Sequence, residues 1–156
     1  MINSNEILAK VYPFSAERIE DIGDVLQYAL PWAALLAAAL TGDQQGAWAW
    51  LYSGLAVTGL TFLLKFIFNF TAWGKRPGGA GYAFPSGHTS SAFMGACFIH
   101  FSFGLNYAVL PYLLAAFTGY SRIYAKKHWL RDVIAGALLA AAVTYYIVMS
   151  LNSGMF

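Results

Sequence analysis

The sequence predicts an all-α integral membrane protein, an antiparallel bundle of about five transmembrane helices. Composition gives the first reason. Of the 156 residues 59% are hydrophobic and only 10% are charged, where soluble domains carry about 25% charge. Uncharged runs give the second. Val25 to Gly42, Gln44 to Leu64, Pro77 to Ser121 and Val133 to Phe156 contain no Asp, Glu, Lys or Arg, and about 20 such residues cross a bilayer. The third is that the interruptions are short, which sets neighbouring helices antiparallel. The length suits a single domain, with residues 1–24 a polar N-terminal segment and 25–151 the helical bundle.

In residues 1–24, Ile7, Leu8, Val11, Tyr12 and Phe14 can make the apolar face of a short interfacial helix, and the same stretch equally suits a disordered tail. Ser15 followed by Glu17 resembles a helix start. Acidic residues at Glu6, Glu17, Glu20, Asp21 and Asp24 argue against a cleavable signal peptide, which needs a basic leader. The first span is expected at about Val25–Leu40 with Pro31 inside it, which is tolerable where a neighbour satisfies the carbonyl that proline leaves free. Thr41 to Gly46 makes a short polar connection. The second span, about Ala47–Phe70, has Trp48 and Trp50 at one end and Trp73 beyond the other, matching the two headgroup belts.

Gly74 to His88, GKRPGGAGYAFPSGH, is an island of Gly, Pro and charge that argues against a regular helix or central strand and indicates a shaped loop. The third span runs from about His88 to Gly104, where Ser90, Ser91, Ala92, Gly95 and Ala96 permit close helix packing. Gly104 to Asn106 turns the chain into the fourth span, about Tyr107–Tyr124. A basic connection at Ala125 to Lys127 leads to the fifth, about His128–Leu151. Cys97, the one cysteine, offers no disulfide or thiolate metal site and reads as a buried small residue. Counting spans puts the N-terminal segment, the Gly74–His88 loop and the Ser121–Asp132 connection on one face. Lys75, Arg76, Arg122, Lys126, Lys127 and Arg131 all lie there, and Lys65 lies about two turns inside the second span. The net charge of +2 is uninformative by itself, and no nucleic-acid partner is expected.

Ionisable groups near membrane spans are functional candidates. Arginine offers a planar fork and lysine a point charge for phosphate, and the Ser86 and Gly87 amides add donors at a helix N-terminus. His128 and Asp132, four apart, are expected to share a face in the first turns of the fifth span. The carboxylate would orient one ring nitrogen and free the other as a nucleophile. His88, on another helix, could protonate a leaving oxygen. A nucleophile with its orienter, a second histidine and a cationic cradle describe phosphoryl transfer.

PSGH at Pro85–His88 followed by SR-x5-H-x3-D at Ser121–Asp132 resembles the second and third signature motifs of the type 2 phosphatidic acid phosphatases, including the membrane-bound bacterial lipid phosphatases. The resemblance covers roughly Lys65 to Val148. It implies that His128 forms a phosphohistidine, that Asp132 orients it and that His88 is the general acid. Arg76, Arg122, Ser86, Gly87 and Ser121 would serve the phosphoryl oxygens, with no metal and no cofactor. The first motif departs from the family's K-x6-R-P, because Asn69 stands where lysine belongs. Lys65, four residues out of register, or Lys75, beside Arg76, fills the role. Lys65 is favoured, since a lysine within a span has little other reason to be there. His100, about three turns down the third span, reads as a packing residue, and Lys126, Lys127 and Arg131 as headgroup anchors.

The implied partners are the bilayer and a membrane lipid phosphate: phosphatidic acid, phosphatidylglycerol phosphate, polyprenyl diphosphate or a lipid A phosphate. The sequence gives no oligomeric state. Similar enzymes have six spans, and the first is missing from this count. The family faces its site outward, whereas every Lys and Arg on the site's side favours the inside. A bacterial inner-membrane location with the site facing the periplasm is expected. A lipid-to-lipid phosphotransferase with the same residues, and a non-catalytic lipid-binding or transport protein on the same scaffold, are the rival readings.

Overall fold

The structure is a computed structural model and describes residues 16–153; residues 1–15 of the segment expected to form an interfacial helix or a tail, Ser15 among them, lie outside the described residues. Among the described residues there are five α-helices and no strand: α1 (Ala16–Leu40), α2 (Gln44–Phe68), α3 (Gly87–Phe103), α4 (Leu105–Tyr124) and α5 (Leu130–Asn152), with a 3-10 turn at Ala72–Gly74. Three of them, α1 from Glu17, α2 and α5, are long and apolar enough to cross a membrane. Their outer faces carry exposed Val25, Trp32, Leu36, Leu55, Phe62, Phe66, Leu138 and Tyr146, more apolar surface than a soluble protein leaves in water.

Helix α3 is the centre. At 17 residues it is about 25 Å long, and it packs against all four other helices. Its small residues allow this: Thr89, Ser90, Ala92, Gly95, Ala96 and Cys97 are all buried. Gly95 marks the tightest approach, because a Cβ there would collide with the main chain of Leu30 and Pro31 on α1. Helix α1 runs unbroken through Pro31. Proline has no N–H, so the carbonyl four residues earlier, that of Gln27, loses its helical donor. Ser91 Oγ of α3 donates to that carbonyl at 2.6 Å, and Trp50 Nε1 of α2 donates to the Pro31 carbonyl at 2.7 Å.

The connections differ in detail from expectation. Asp43 caps α2, accepting from the Gly46 N–H at 2.8 Å, and Gly104 alone separates α3 from α4. Helix α1 already includes Ala16 to Asp24, ahead of the span expected from Val25. Helix α5 starts at Leu130 with Trp129 as its N-cap in extended conformation. His128 therefore precedes the helix instead of lying in its first turn.

A side chain at residue 95 must push α1 away from α3, where backbone atoms cannot yield. Gly95→Leu is expected to destabilise the protein by roughly 1–3 kcal/mol or more, whereas Gly59→Ala, with nothing within 4 Å of its added carbon, is neutral or stabilising by up to about 1 kcal/mol. Thermal unfolding of the detergent-solubilised variants measures the difference.

Candidate active site

The site is assembled from two loops at one end of the bundle and the helix ends beside them. The first loop, from Thr71 to Ser86, is pinned along its length. Trp73 and Phe84 pack with Phe68 at the end of α2, ring centroids 4.8 Å apart for Phe68–Phe84 and 5.1 Å for Trp73–Phe84. Arg76 N–H donates to the Ala80 carbonyl at 2.8 Å and Ala83 N–H to that of Gly74 at 3.0 Å. Arg76 Nε donates to the Gly81 carbonyl at 3.2 Å, which aims the rest of the guanidinium while leaving its outer N–H groups available. Lys65 reaches out of α2 and donates to the Tyr82 carbonyl at 2.7 Å.

The second loop links α4 to α5. Ala125 N–H donates to the Ser121 carbonyl at 2.9 Å, and Lys127 and His128 N–H groups donate to the Arg122 carbonyl at 2.9 and 3.2 Å. This folds His128 back over the end of α4, where it is 4% exposed. Asp132, fully buried, accepts through Oδ2 from the Trp129 N–H at 2.9 Å and lies 3.4 Å from His128 Nδ1 through the same oxygen. The carboxylate thus caps α5 and faces the imidazole at once, a favourable place for negative charge at a helix N-terminus. With Nδ1 turned to Asp132, Nε2 is the nitrogen left for a ligand.

Main-chain and side-chain bonds join the loops. The Ser86 N–H donates to the Asp132 carbonyl at 2.9 Å, and Trp129 Nε1 to the Lys75 carbonyl at 2.9 Å. Arg131 lies over the rings of Trp73 and Trp129, 5.3 and 5.8 Å from their centroids, a cation–π arrangement. A cavity of about 340 Å³ opens between them. Lys65, Arg76, Gly87, His88 and His128 form its polar end, and Tyr28, Val57, Thr58, Thr61 and Phe62 its apolar wall. Tyr28 and Phe62 are themselves largely exposed on the apolar outer surface of the bundle, so the cavity is continuous with that surface.

Of the residues expected from sequence, the structure brings Lys65, Arg76, Gly87, His88 and His128 to one cavity. Lys75 is exposed and outside it. Ser86 is buried, its amide committed to Asp132 and its hydroxyl bonded to Thr89 Oγ1 at 3.0 Å, so it braces the start of α3. Ser121 and Arg122 are also buried and do not line the cavity. Ser121 Oγ donates to the Thr118 carbonyl at 2.7 Å and accepts from Arg122 Nε at 3.0 Å. His100 bonds Tyr112 OH at 3.0 Å through Nδ1 in the other half of α3.

Two carboxyl-bearing residues at the site carry no motif signal. Asp24 Oδ1 lies 2.6 Å from Arg122 Nη1 and 2.9 Å from His88 Nε2. The Glu20 carbonyl accepts from Arg122 Nη2, and its carboxylate lies 3.2 Å from Lys127 Nζ. Gly23 makes this possible, since a Cβ there would overlap Ser121 Oγ and the Arg122 guanidinium. The available clue was spacing: Glu20 and Asp24 stand four apart, on one face of a helix, at the cationic end of the bundle.

Burial pushes the His128 imidazole below its ordinary value, with Lys65 and Arg76 acting in the same direction and Asp132 opposing them. The ring is therefore held neutral, the state a nucleophile requires.

Residues 25–153 match the PAP2 superfamily. A lipid A 1-phosphatase of Porphyromonas gingivalis is 42% identical over 79 residues, covering 46% of this chain and 18% of that protein. The chain spans less than a fifth of that relative's length. A lipid A 4'-phosphatase of Helicobacter pylori is 29% identical over 154 residues, covering 89% of this chain and 77% of that protein. The crystal structure of Aquifex aeolicus LpxE has the same fold, with a TM-score of 0.74 at 22% identity over 88% of this chain and 87% of that one. With the match running from the middle of α1 to the end of α5, the chain belongs to the PAP2 superfamily.

Proposed function

We propose that this protein is an integral membrane lipid phosphatase that removes a phosphate, from a phosphomonoester or a diphosphate, through a phosphohistidine intermediate. The supporting observation is the two-ended cavity, with His88, His128, Lys65 and Arg76 at its polar end and the Tyr28–Phe62 wall running out to the lipid-facing surface. A phosphate group fits the first end and an acyl chain the second. Lipid A phosphates are the favoured substrates, because both curated relatives are named for them; phosphatidic acid, phosphatidylglycerol phosphate and polyprenyl diphosphate share the chemistry.

His128 Nε2 attacks phosphorus while Asp132 holds Nδ1–H and stabilises the positive charge that forms. Lys65, Arg76 and the Gly87 amide, at the N-terminus of α3, receive the charge of the phosphoryl oxygens. Arg122 has three of its five N–H groups on Ser121, Asp24 and Glu20 and two left for a phosphoryl oxygen. No metal takes part in these steps. The protein sits in the bacterial inner membrane with this end facing the periplasm.

Purified protein in detergent is expected to release phosphate from lipid phosphates in the presence of EDTA. His128→Ala is expected to lower that release at least about 10³-fold; loss of activity with EDTA, or retention in His128→Ala, contradicts the mechanism. The pH profile follows from the state of His128. The neutral ring attacks, and its folded-state pKa lies below 6.5, so the acid limb of kcat/KM should fall below that pH. Lys65→Met removes a positive charge that opposes protonation, so its weakened activity should show an acid limb moved up toward 6.5. For orientation, Lys126→Cys, on the exposed rim, should react with a membrane-impermeant thiol reagent on spheroplasts; protection until lysis reverses the assignment.

A further inference from the structure

Helix α1 supplies the site with a carboxylate that lies behind the imidazole from the phosphate's side. His88 lines the cavity and Asp24 does not. Asp24 Oδ1 is 2.9 Å from His88 Nε2, and a carboxylate only accepts hydrogen bonds, so Nε2 is the donor. The neutral ring then carries its lone pair on Nδ1, the nitrogen left for the substrate. Arg122 holds Asp24 in place, with Nη1 2.6 Å from the same oxygen. The surroundings of His88 are otherwise cationic or neutral: Arg122 from α4, Lys65 from α2, Arg76 from the first loop and His128 from the second. Among the described residues Asp24 is the carboxylate in hydrogen-bond contact with His88.

We propose that Asp24 is a positioning residue for the general acid. It fixes His88 as the Nε2–H tautomer, turns Nδ1 toward the leaving group and stabilises the imidazolium that delivers the proton. The site would then contain two Asp–His pairs, Asp132 behind the nucleophile and Asp24 behind the acid. The assignment rests on the phosphatase reading above. In the first step the bond from His128 Nε2 to phosphorus forms as the bond from phosphorus to the lipid oxygen breaks. The electron pair stays on that oxygen, which takes the proton from His88 Nδ1. In the second step water adds to phosphorus and gives a proton to His88 Nδ1. The phosphorus–nitrogen bond breaks, its pair returns to His128 Nε2, and phosphate leaves. His88 ends as it began, and its Nε2–H stays on Asp24 throughout.

Leaving-group dependence separates this role from simple support of Arg122. An alkoxide must be protonated to depart, whereas 4-nitrophenolate leaves without help. Full-length wild type, Asp24→Asn and Asp24→Glu are compared in detergent on a dialkylglycerol phosphate and on 4-nitrophenyl phosphate. Asp24→Asn is expected to lose about 10- to 100-fold in kcat on the lipid, with KM and the first-turnover burst of 4-nitrophenolate, which reads the first step alone, within about threefold, and Asp24→Glu is expected to recover part of the loss. Equal losses on both substrates, or an effect confined to KM, assign Asp24 to holding Arg122 and overturn the proposal. If wild type accepts only the lipid, the split between kcat and KM decides. Wild type that releases no phosphate overturns both readings; active wild type with an unchanged Asp24→Asn overturns this one alone. Nitrogen-15 NMR of histidine-labelled wild type, assigned with His88→Gln, provides a test independent of any Asp24 variant's folding. At alkaline pH, where the ring is neutral, the Nε2–H tautomer of His88 is expected, and the Nδ1–H tautomer overturns the assignment.

Discussion

Pro31 leaves the Gln27 carbonyl without its helical donor, in a part of the chain where lipid offers no substitute. The hydroxyl of Ser91 supplies it, and the absence of a side chain at Gly95 lets the two helix backbones come close enough for the bond to form. Trp50 secures the same point from α2. The register that results is the constraint on which the site depends. Moving three residues toward the N-terminus on both α1 and α3 leads from Gln27 and Ser91 to Asp24 and His88, which are again in contact. The bond that repairs the proline and the bond that holds the histidine are one helical turn apart on the same pair of helices, so a defect in the backbone of α1 fixes the placement of its carboxylate.

Charge at this end of the bundle is similarly interlocked. Arg122 would be costly to bury alone, and Ser121, Asp24 and the Glu20 carbonyl surround it. Lys65 and Arg76 are aimed by main-chain carbonyls, not by carboxylates. Their positive charge is therefore left to act on whatever enters the cavity and on His128. The contrast suits a phosphate site: Arg122 at the back is paired with a carboxylate, and the cations at the front are oriented but left unneutralised.

Much of the bundle was legible because lipid imposes a simple rule, long uncharged runs as helices, and the five helices follow those runs closely. The two motif histidines and Asp132 were legible as spacing. The boundaries near the site were less so. His128 falls before α5, not within it, because Trp129 adopts an extended N-cap that Asp132 then bonds. The displaced lysine has a local physical account as well: the additional residues before Arg76 form the 3-10 turn Ala72–Gly74. Trp73 seats that turn on Phe68 and Phe84, so that Lys65 and Arg76 still line one cavity. Asp24 and Glu20 escaped notice because their partners are remote in sequence, 64 residues away for Asp24 and His88 and 98 for Asp24 and Arg122. In sequence alone they look like the ordinary polar flank of a membrane helix.

The bond from the Ser86 N–H to the Asp132 carbonyl runs between main-chain atoms. No change of side chain at position 132 removes its acceptor, and at position 86 only proline, which has no N–H, removes its donor. The joining of the two loops is thereby insulated from sequence drift. Residues facing the cavity can change while the seam between the halves stays closed.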